Sequence, residues 1–172
     1  MKACQRTITM DKKPLQIKED SNVEKKTYVL DTSALLIYPD LMFRLEGCEV
    51  VIPKAVVREL TGLIHHIQKP LAEAAEKVLD TLHFFGGDLS AGVGLLTGVT
   101  LRTYDAYEPI DDLVSAADNR IVGAAISLKN ENGGEVIVLS TDTNMRNVAR
   151  AYGLTAKVPC FRDALQMEKV LW

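Results

Sequence analysis

The 172 residues provide enough chain for one compact domain with a hydrophobic core and hardly enough for two. Hydrophobic residues make up 47% and charged residues 25% of the sequence, as in ordinary globular proteins, and no apolar run approaches the ~20 residues that a membrane span requires. Three scattered cysteines exclude a disulfide framework or a cysteine zinc site. The amino terminus lacks an apolar core of signal-peptide length, so we expect a soluble cytoplasmic protein without a membrane partner.

The first 26 residues differ in charge from the rest of the chain. Seven basic and four acidic residues give residues 1–26 a charge of +3, so the remainder carries −6 within a net charge of −3. The segment is polar and nearly lacks apolar periodicity, and we expect it to be flexible or a linker. An acidic body binds nucleic acid poorly in general, because non-specific affinity comes from neutralising phosphates. Any nucleic-acid activity of residues 27–158 must therefore depend on local geometry and bound cations.

Short β-branched runs alternate with helical patterns from residue 27 onward. The runs that predict buried strands are 27–30, 49–52 and 136–139, with 99–103 as a further candidate. The helical patterns cover residues 54–67, 70–84, 115–129 and 143–152. Glycines predict turns at 86–88 and 92–94, and residues 104–114 are predicted to form an acidic surface loop. The alternation predicts a three-layer α/β/α domain with a mostly parallel central sheet.

Two of the predicted strands end in an aspartate with hydroxyl side chains beside it. These segments are Asp31-Thr32-Ser33 and Ser140-Thr141-Asp142. In parallel sheets, ligands bind beyond the carboxyl ends of the strands, so the two aspartates can belong to one site. Each aspartate alone is explained equally well as a turn or helix-capping residue.

The helix predicted over residues 54–67 places an acid beside its buried face. Its apolar stripe consists of Val56, Leu60, Leu63 and Ile67. At ~100° per residue, Glu59 lies about 80° from the middle of that stripe. We therefore expect Glu59 at the edge of the buried face, although a lone helix acid is most often a surface residue.

The helix predicted over residues 115–129 carries Asp118 in its first turn. Asp118 projects from the side of the helix that is marked as buried by Ile121, Val122, Ala125 and Leu128. Ser115 and Asp118 also have the spacing of a capping box, and acids are favoured at helix N-termini. Capping therefore explains Asp118, taken alone, better than function does.

Joint placement at one end of the sheet changes the interpretation of these four acids. Unpaired carboxylates ~4 Å apart repel by roughly 4 kcal/mol per pair at an effective dielectric near 20, so such a cluster persists when it binds cations. Oxygen ligands without His or Cys favour Mg²⁺ or Mn²⁺ over zinc. Two such ions ~4 Å apart can activate a water and stabilise the leaving oxygen of a phosphodiester.

Four segments resemble, in order, the acidic motifs of PIN domains. They are LDTSALL at 30–36, VREL at 57–60, DNRIVGAA at 118–125 and LSTDTNMR at 139–146. Residues 38–40 and 86–93 are similar to the PIN domains that are fused to PhoH-type ATPases in bacteria. The resemblance covers about residues 27–158, and four motifs in order with compatible spacing are fairly specific.

The resemblance implies a metal-dependent endoribonuclease that cuts single-stranded RNA and leaves 5′-phosphate and 3′-hydroxyl ends. It implies that the catalytic and metal-binding residues are Asp31, Glu59, Asp118 and Asp142. The residues that it suggests for supporting a ligand or the water are Thr32, Thr141 and Asn144. Candidates for RNA binding are Lys54, Arg58, Arg120 and Arg146, although a solvated surface explains each of them individually.

The resemblance also implies a PhoH-type ATPase domain as a partner. The 172 residues contain no G-x-x-x-x-G-K-[ST] phosphate loop, so either the chain is a fragment of a larger PIN-ATPase or it acts alone. We expect residues 159–172 to form a helical extension that docks onto such a partner. Because PIN domains often dimerise, a homo-oligomer is a further hypothesis.

Other metal-binding α/β classes fit the residues less well. A phosphatase with an aspartyl nucleophile needs a second aspartate where Ser33 stands, and a von Willebrand-type metal site needs serine where Leu35 stands. A receiver domain needs an acidic pair after its first strand and a late lysine, and neither has a clear counterpart. The remaining alternative is a non-catalytic PIN-fold module that binds RNA or protein. The acidic body favours this alternative, whereas retention of all four acidic positions favours the nuclease.

Overall fold

The computed structural model describes residues 25–110 and 116–159. Several predictions fall wholly or partly outside the described residues. They concern the segment before residue 25, the end of the predicted loop 104–114, the cap at Ser115 and the predicted helical extension 159–172. Within the two described ranges, no helix is long and apolar enough to cross a membrane.

The described residues form six strands and six helices. The strands are β1 (Thr27–Leu30), β2 (Glu49–Pro53), β3 (Val93–Gly94), β4 (Thr100–Tyr104), β5 (Val136–Leu139) and β6 (Thr155–Lys157). The helices are α1 (Thr32–Ile37), α2 (Leu41–Arg44), α3 (Lys54–Leu63), α4 (Lys69–Phe84), α5 (Ala116–Asn132) and α6 (Thr143–Ala151).

All six strands belong to one sheet of order β3-β4-β2-β1-β5-β6. Every neighbouring pair is parallel except β3 with β4, so the predicted mostly parallel sheet is confirmed. Leu30 at the end of β1 pairs with Leu139 at the end of β5. Because these two strands end side by side, Asp31 and Ser140 leave the sheet together at its carboxyl edge.

The central strands are short apolar runs that are covered by helices. Most side chains of β1 and β5 are buried, among them Val29, Leu30, Ile137 and Val138. Such continuous apolar strands are typical of parallel sheets with helices on both faces. The core therefore holds the carboxyl edge of the sheet in a fixed position.

The helix predicted over residues 54–67 is shorter in the structure. α3 ends at Leu63, and Ile67, which was predicted to lie on the buried stripe, is 96% exposed. The physical reason is the next helix, which begins at Lys69 with Pro70 in its first turn. Proline suits the first turn of a helix but cannot continue the preceding one, so the chain uses residues 64–68 to change direction.

Several short elements were not predicted. α1 and α2 span six and four residues, which is too little sequence for a helical repeat to be visible. Val93–Gly94, predicted to be part of a turn, forms the antiparallel edge strand β3. β6 has three residues and continues the parallel sheet beside β5.

Candidate active site

Four carboxyl groups border one cleft, to which the loops after β1 and β5 both contribute. The cleft has a volume of about 410 Å³ and is lined by Asp31, Thr32, Ser33, Leu36, Glu59, Gly62, Leu63, Asp118 and Asp142. The ionisable side chains of this lining are all acidic. The structure thus brings the four sequence-predicted acids to the same space, although they come from four separate parts of the chain.

Asp31 is the most buried of these acids, at 5% exposure, and two serines hold it in place. Ser33 and Ser140 each donate a hydroxyl hydrogen to Oδ2 of Asp31, at 2.6 Å in both cases. Both bonds go to the same carboxylate oxygen. The orientation of Asp31 is therefore fixed through Oδ2, and Oδ1 receives no hydrogen bond from the described residues.

The same two serines connect the beginning of α1 and the end of β1 to the loop after β5. Ser33 Oγ accepts hydrogen bonds from the backbone N–H groups of Thr141 and Asp142, at 3.0 and 3.3 Å. Ser140 Oγ accepts from the N–H of Asp142 at 3.0 Å. Hydroxyl side chains stand beside both aspartates in the sequence, but Ser33 and Ser140 were not among the predicted site residues. That flanking pattern was the signal that could have identified them.

Glu59 lies on α3 at the edge of the core, where its side chain is half-buried. Thr32 donates its hydroxyl hydrogen to Oε2 of Glu59. Burial raises the pKa of the Glu59 carboxyl above its usual value, the Thr32 hydrogen bond opposes that shift, and the charges of Asp31 and Asp118 raise the pKa further. Burial and the neighbouring carboxylates thus both disfavour an unpaired negative charge on Glu59.

Asp118 lies in the first turn of α5 and is half-buried. The helix has the orientation expected from the sequence, because Ile121, Val122, Ala125 and Leu128 are all buried. Asp118 lines the same cleft as Glu59 of α3.

Asp142 is exposed at the border of the cleft and also has a structural role. It is the N-cap of α6, and its Oδ1 accepts a hydrogen bond from the backbone N–H of Asn144 at 2.7 Å. Both interpretations of Asp142 from the sequence, cap and site residue, are therefore compatible with its position.

Three further residues of the predicted site, Thr141, Asn144 and Arg146, make hydrogen bonds around the loop after β5. Thr141 and Asn144 use their backbone N–H groups, which donate to Ser33 and Asp142. Arg146, proposed as an RNA contact, donates to the carbonyl oxygen of Ser140 at 3.0 Å and to Oγ1 of Thr143 at 2.9 Å. These contacts stabilise the loop after β5.

The other three RNA-binding candidates come together elsewhere, beside the loop after β4. Lys54 and Arg58 form ion pairs with Asp105 at 3.6 and 3.8 Å. The guanidinium group of Arg120 lies 5.8 Å from the ring centre of Tyr107. This group of basic side chains does not line the acidic cleft itself.

The chemistry of the cleft fits a divalent cation that prefers oxygen. Its donors are carboxylates and hydroxyls, which suit Mg²⁺ or Mn²⁺. In the described part of the chain, no three His, Cys, Asp or Glu side chains form a compact group that could hold a metal ion. Mg²⁺ usually keeps several water molecules and binds through one or two carboxylates, so a compact three-residue group is not required for it.

Comparison with known proteins identifies the family. The family model described as PIN domain matches residues 28–158. The protein named Protein PhoH2 from Thermobispora bispora is 35% identical over 148 residues, which are 83% of this chain and 34% of that protein. Protein PhoH2 from Bacillus subtilis is 35% identical over 144 residues, which are 77% of this chain and 32% of that protein. The chain therefore spans about a third of the length of these curated relatives.

A solved structure shows the same fold. A domain of a functionally unknown protein from Methanocaldococcus jannaschii superposes with a TM-score of 0.55 at 19% identity, covering 78% of this chain and 91% of that one. This likeness concerns the fold alone, whereas the family model and the PhoH2 relatives concern the sequence. The chain belongs to the PIN domain family, whose members are generally nucleases.

Proposed function

We propose that this chain is a divalent-metal-dependent endoribonuclease that hydrolyses phosphodiester bonds in single-stranded RNA. The observation that carries the proposal is the placement of four acids from four motifs around one cleft. An apolar or a mixed-charge cleft would not favour a cation. In this cleft burial raises the pKa of Glu59, and the charges of Asp31 and Asp118 add to that shift, so a bound cation would relieve the repulsion between the carboxylates.

The proposed metal-binding residues are Asp31, Glu59, Asp118 and Asp142, which would hold the ion either directly or through its bound water molecules. A bound divalent ion would supply a more acidic water and neutralise charge on the phosphate. Ser33 and Ser140 orient Asp31, and Thr32 orients Glu59, so these hydroxyls position the carboxylates before substrate arrives. In the proposed reaction, water adds to phosphorus and the bond to the 3′ oxygen breaks. The products are a 5′-phosphate and a 3′-hydroxyl, and the departing 3′ oxygen receives a proton.

The alternative is a non-catalytic PIN-fold module that binds RNA or protein. The observation in its favour is the capping bond of Asp142, which gives this acid a role without catalysis. The nuclease explains more of the site, because helix capping accounts for neither Glu59 nor the two serines on Asp31.

Cleavage of a labelled, unstructured RNA by the purified chain tests the proposal. We expect cleavage with Mg²⁺ or Mn²⁺, none in EDTA, and a loss of at least ~100-fold in Asp31→Asn. The matched control is Asp80→Asn, which changes an exposed acid on α4 and should keep full activity. Full activity of Asp31→Asn in preparations without contaminating nuclease would contradict the assignment.

A PhoH-type ATPase domain is the proposed partner, since the PhoH2 relatives are about three times as long as the matched region. We also propose a homo-oligomer as a second kind of association. Because the 172 residues contain no phosphate loop, cleavage by this chain alone should not depend on ATP. ATP-dependent cleavage by the isolated chain would contradict this division of roles.

A further inference from the structure

An exposed tyrosine on the loop after β4 lies beside basic side chains of α3 and α5. Tyr107 is 43% exposed although the guanidinium group of Arg120 lies 5.8 Å from its ring centre. Arg58 and Arg120 border the same small surface pocket as Tyr107. Lys54 and Arg58 both pair with Asp105, two residues before the tyrosine. We call these four residues, Lys54, Arg58, Tyr107 and Arg120, the Tyr107 patch.

The Tyr107 patch is locally positive on a chain whose residues beyond 26 carry a charge of −6. Two of its three cations, Lys54 and Arg58, share the single carboxylate of Asp105, and Arg120 lies over the ring of Tyr107. Both ion pairs of Asp105 are long and solvent-exposed, with side chains that are 39–61% accessible. Exposed pairs of this kind contribute little to stability, so an incoming phosphate can compete for the cations.

The patch and the acidic cleft are carried by the same two helices. Arg58 directly precedes Glu59 on α3, and Arg120 follows Asp118 by two residues on α5. Successive helical residues point in different directions, so the acids face the cleft while the arginines face Tyr107. A nucleic-acid strand with one phosphate in the cleft can therefore continue over these helices onto the patch.

The loop that carries Tyr107 is fixed to α5 on the C-terminal side of the ring. Asn119 accepts from the N–H of Ile110 at 3.1 Å and donates to its carbonyl oxygen at 2.8 Å. The N–H of Glu108 donates to the carbonyl oxygen of Gly123 at 3.2 Å. A Cβ atom at Gly123 would lie 2.1 Å from the carbonyl oxygen of Glu108, so glycine permits this close approach. The ring is thus presented from a positioned backbone, which lowers the entropy lost on binding.

We propose that the Tyr107 patch is a binding subsite for single-stranded RNA, in which a base stacks on Tyr107 and phosphates contact Lys54, Arg58 and Arg120. The proposal rests on the ribonuclease function proposed above and adds a place for the strand outside the cleft. Base–aromatic stacking tolerates any base, so the subsite favours unpaired strands without selecting a sequence.

Fluorescence anisotropy of a labelled oligouridylate, measured in EDTA, tests binding without cleavage. Tyr107→Ala should raise Kd about tenfold, whereas Tyr107→Phe, which keeps the ring, should stay within about twofold of wild type. Tyr152→Ala is the matched control, because Tyr152 is 40% exposed at the end of α6. Arg120→Gln should reduce the slope of log Kd against log salt by about 0.7, and Lys77→Gln on α4 should not.

Each result decides for or against the patch. Equal Kd values for wild type and Tyr107→Ala, or a Tyr107→Phe variant as weak as Tyr107→Ala, would overturn it. Absence of oligouridylate binding by the wild-type chain would overturn it as well. Metal-dependent cleavage is scored separately: if cleavage is present and the patch variants bind normally, only the subsite is wrong. If the patch binds as expected and no cleavage occurs with Mg²⁺ or Mn²⁺, the proposed nuclease is wrong and the chain is an RNA-binding module.

Discussion

Ser140 donates a hydrogen bond of 2.6 Å to Asp31, although the two residues are 109 positions apart in the sequence. Ser140 is completely buried and Asp31 nearly so, which makes the bond part of the interior rather than of the surface. The bond links the ends of β1 and β5, and with them two of the four acidic motifs. A side-chain contact between the ends of two strands therefore helps to hold the candidate site together.

Ser140→Ala should lower the free energy of unfolding by about 1–3 kcal/mol, because the buried carboxylate of Asp31 loses a donor. Urea denaturation measures the change. In a double-mutant cycle with Asp31→Asn, we expect a coupling of at least ~0.5 kcal/mol, as for residues in direct contact. Strictly additive effects of the two substitutions would argue against this contact.

Two substitutions separate the capping role of Asp142 from its proposed catalytic role. Asparagine caps helices about as well as aspartate, so Asp142→Asn should keep the melting temperature while RNA cleavage falls at least ~100-fold. Asp142→Ala should lose cleavage and also about 1 kcal/mol of stability. Retained cleavage in Asp142→Asn would reduce Asp142 to a helix cap.

The raised pKa of Glu59 predicts a pH-dependent difference between wild type and Glu59→Gln. The folded carboxyl holds its proton more tightly than the unfolded one, whose pKa is near 4.5, so ionisation of Glu59 destabilises the fold as pH rises through the folded pKa. In EDTA, the melting temperature of Glu59→Gln should rise relative to that of wild type as pH increases across this range. At pH ~7.5 it should equal or exceed the wild-type melting temperature. Glu76→Gln, which changes an exposed glutamate of α4, is the matched control. A difference that is constant with pH would mean that Glu59 titrates normally.

Added Mn²⁺ should stabilise the wild-type chain by about 2.7 kcal/mol at a hundredfold excess over Kd, because the ion binds only the folded cleft. Thermal denaturation with and without the ion measures this gain. Asp31→Asn should gain much less, while Asp80→Asn should respond like wild type. Equal and small shifts in all three proteins would favour the non-catalytic module.

Gly123→Ala and Gly62→Ala are expected to change stability in opposite directions. Both glycines lie in helices, where alanine is usually better by ~0.5–1 kcal/mol. At Gly123 the new Cβ would meet the carbonyl oxygen of Glu108, so the loop must shift and about 1–3 kcal/mol is lost. At Gly62 nothing lies within 4 Å, and alanine should stabilise. Urea denaturation of the two variants compares them, and a stable Gly123→Ala variant would mean that the loop adapts freely.

The parts of the fold that depend on local sequence were predictable. The central strands and the buried side of α5 follow from apolar runs and periodicity, and their positions are confirmed. α1 escaped prediction because six residues show no period. Ile67 was misplaced because periodicity continued beyond the point where Pro70 begins the next helix.

The four acids of the candidate site could be predicted from the sequence, whereas the hydrogen bonds that hold them could not. Each acid follows a strand or lies on a helix face, and the parallel topology then brings the four to one cleft. The pairing of Ser140 with Asp31 and of Thr32 with Glu59 depends on side-chain geometry across distant segments. The contact of Arg120 with Tyr107 depends on the loop after β4, whose docking on Gly123 has no pattern in the sequence.

Because β1 lies in the centre of the sheet, it pairs with a strand, β5, that is synthesised much later. Chains are synthesised from the amino terminus, so β1 and Asp31 leave the ribosome long before β5 and Asp142. A nascent chain that ends before β5 contains Asp31 and Glu59 but lacks the strand and the serine that hold Asp31. The cleft with four carboxylates can therefore form only when nearly the whole domain has been synthesised and β5 has paired with β1. Completion of the fold and acquisition of the candidate active site are in this way a single late event.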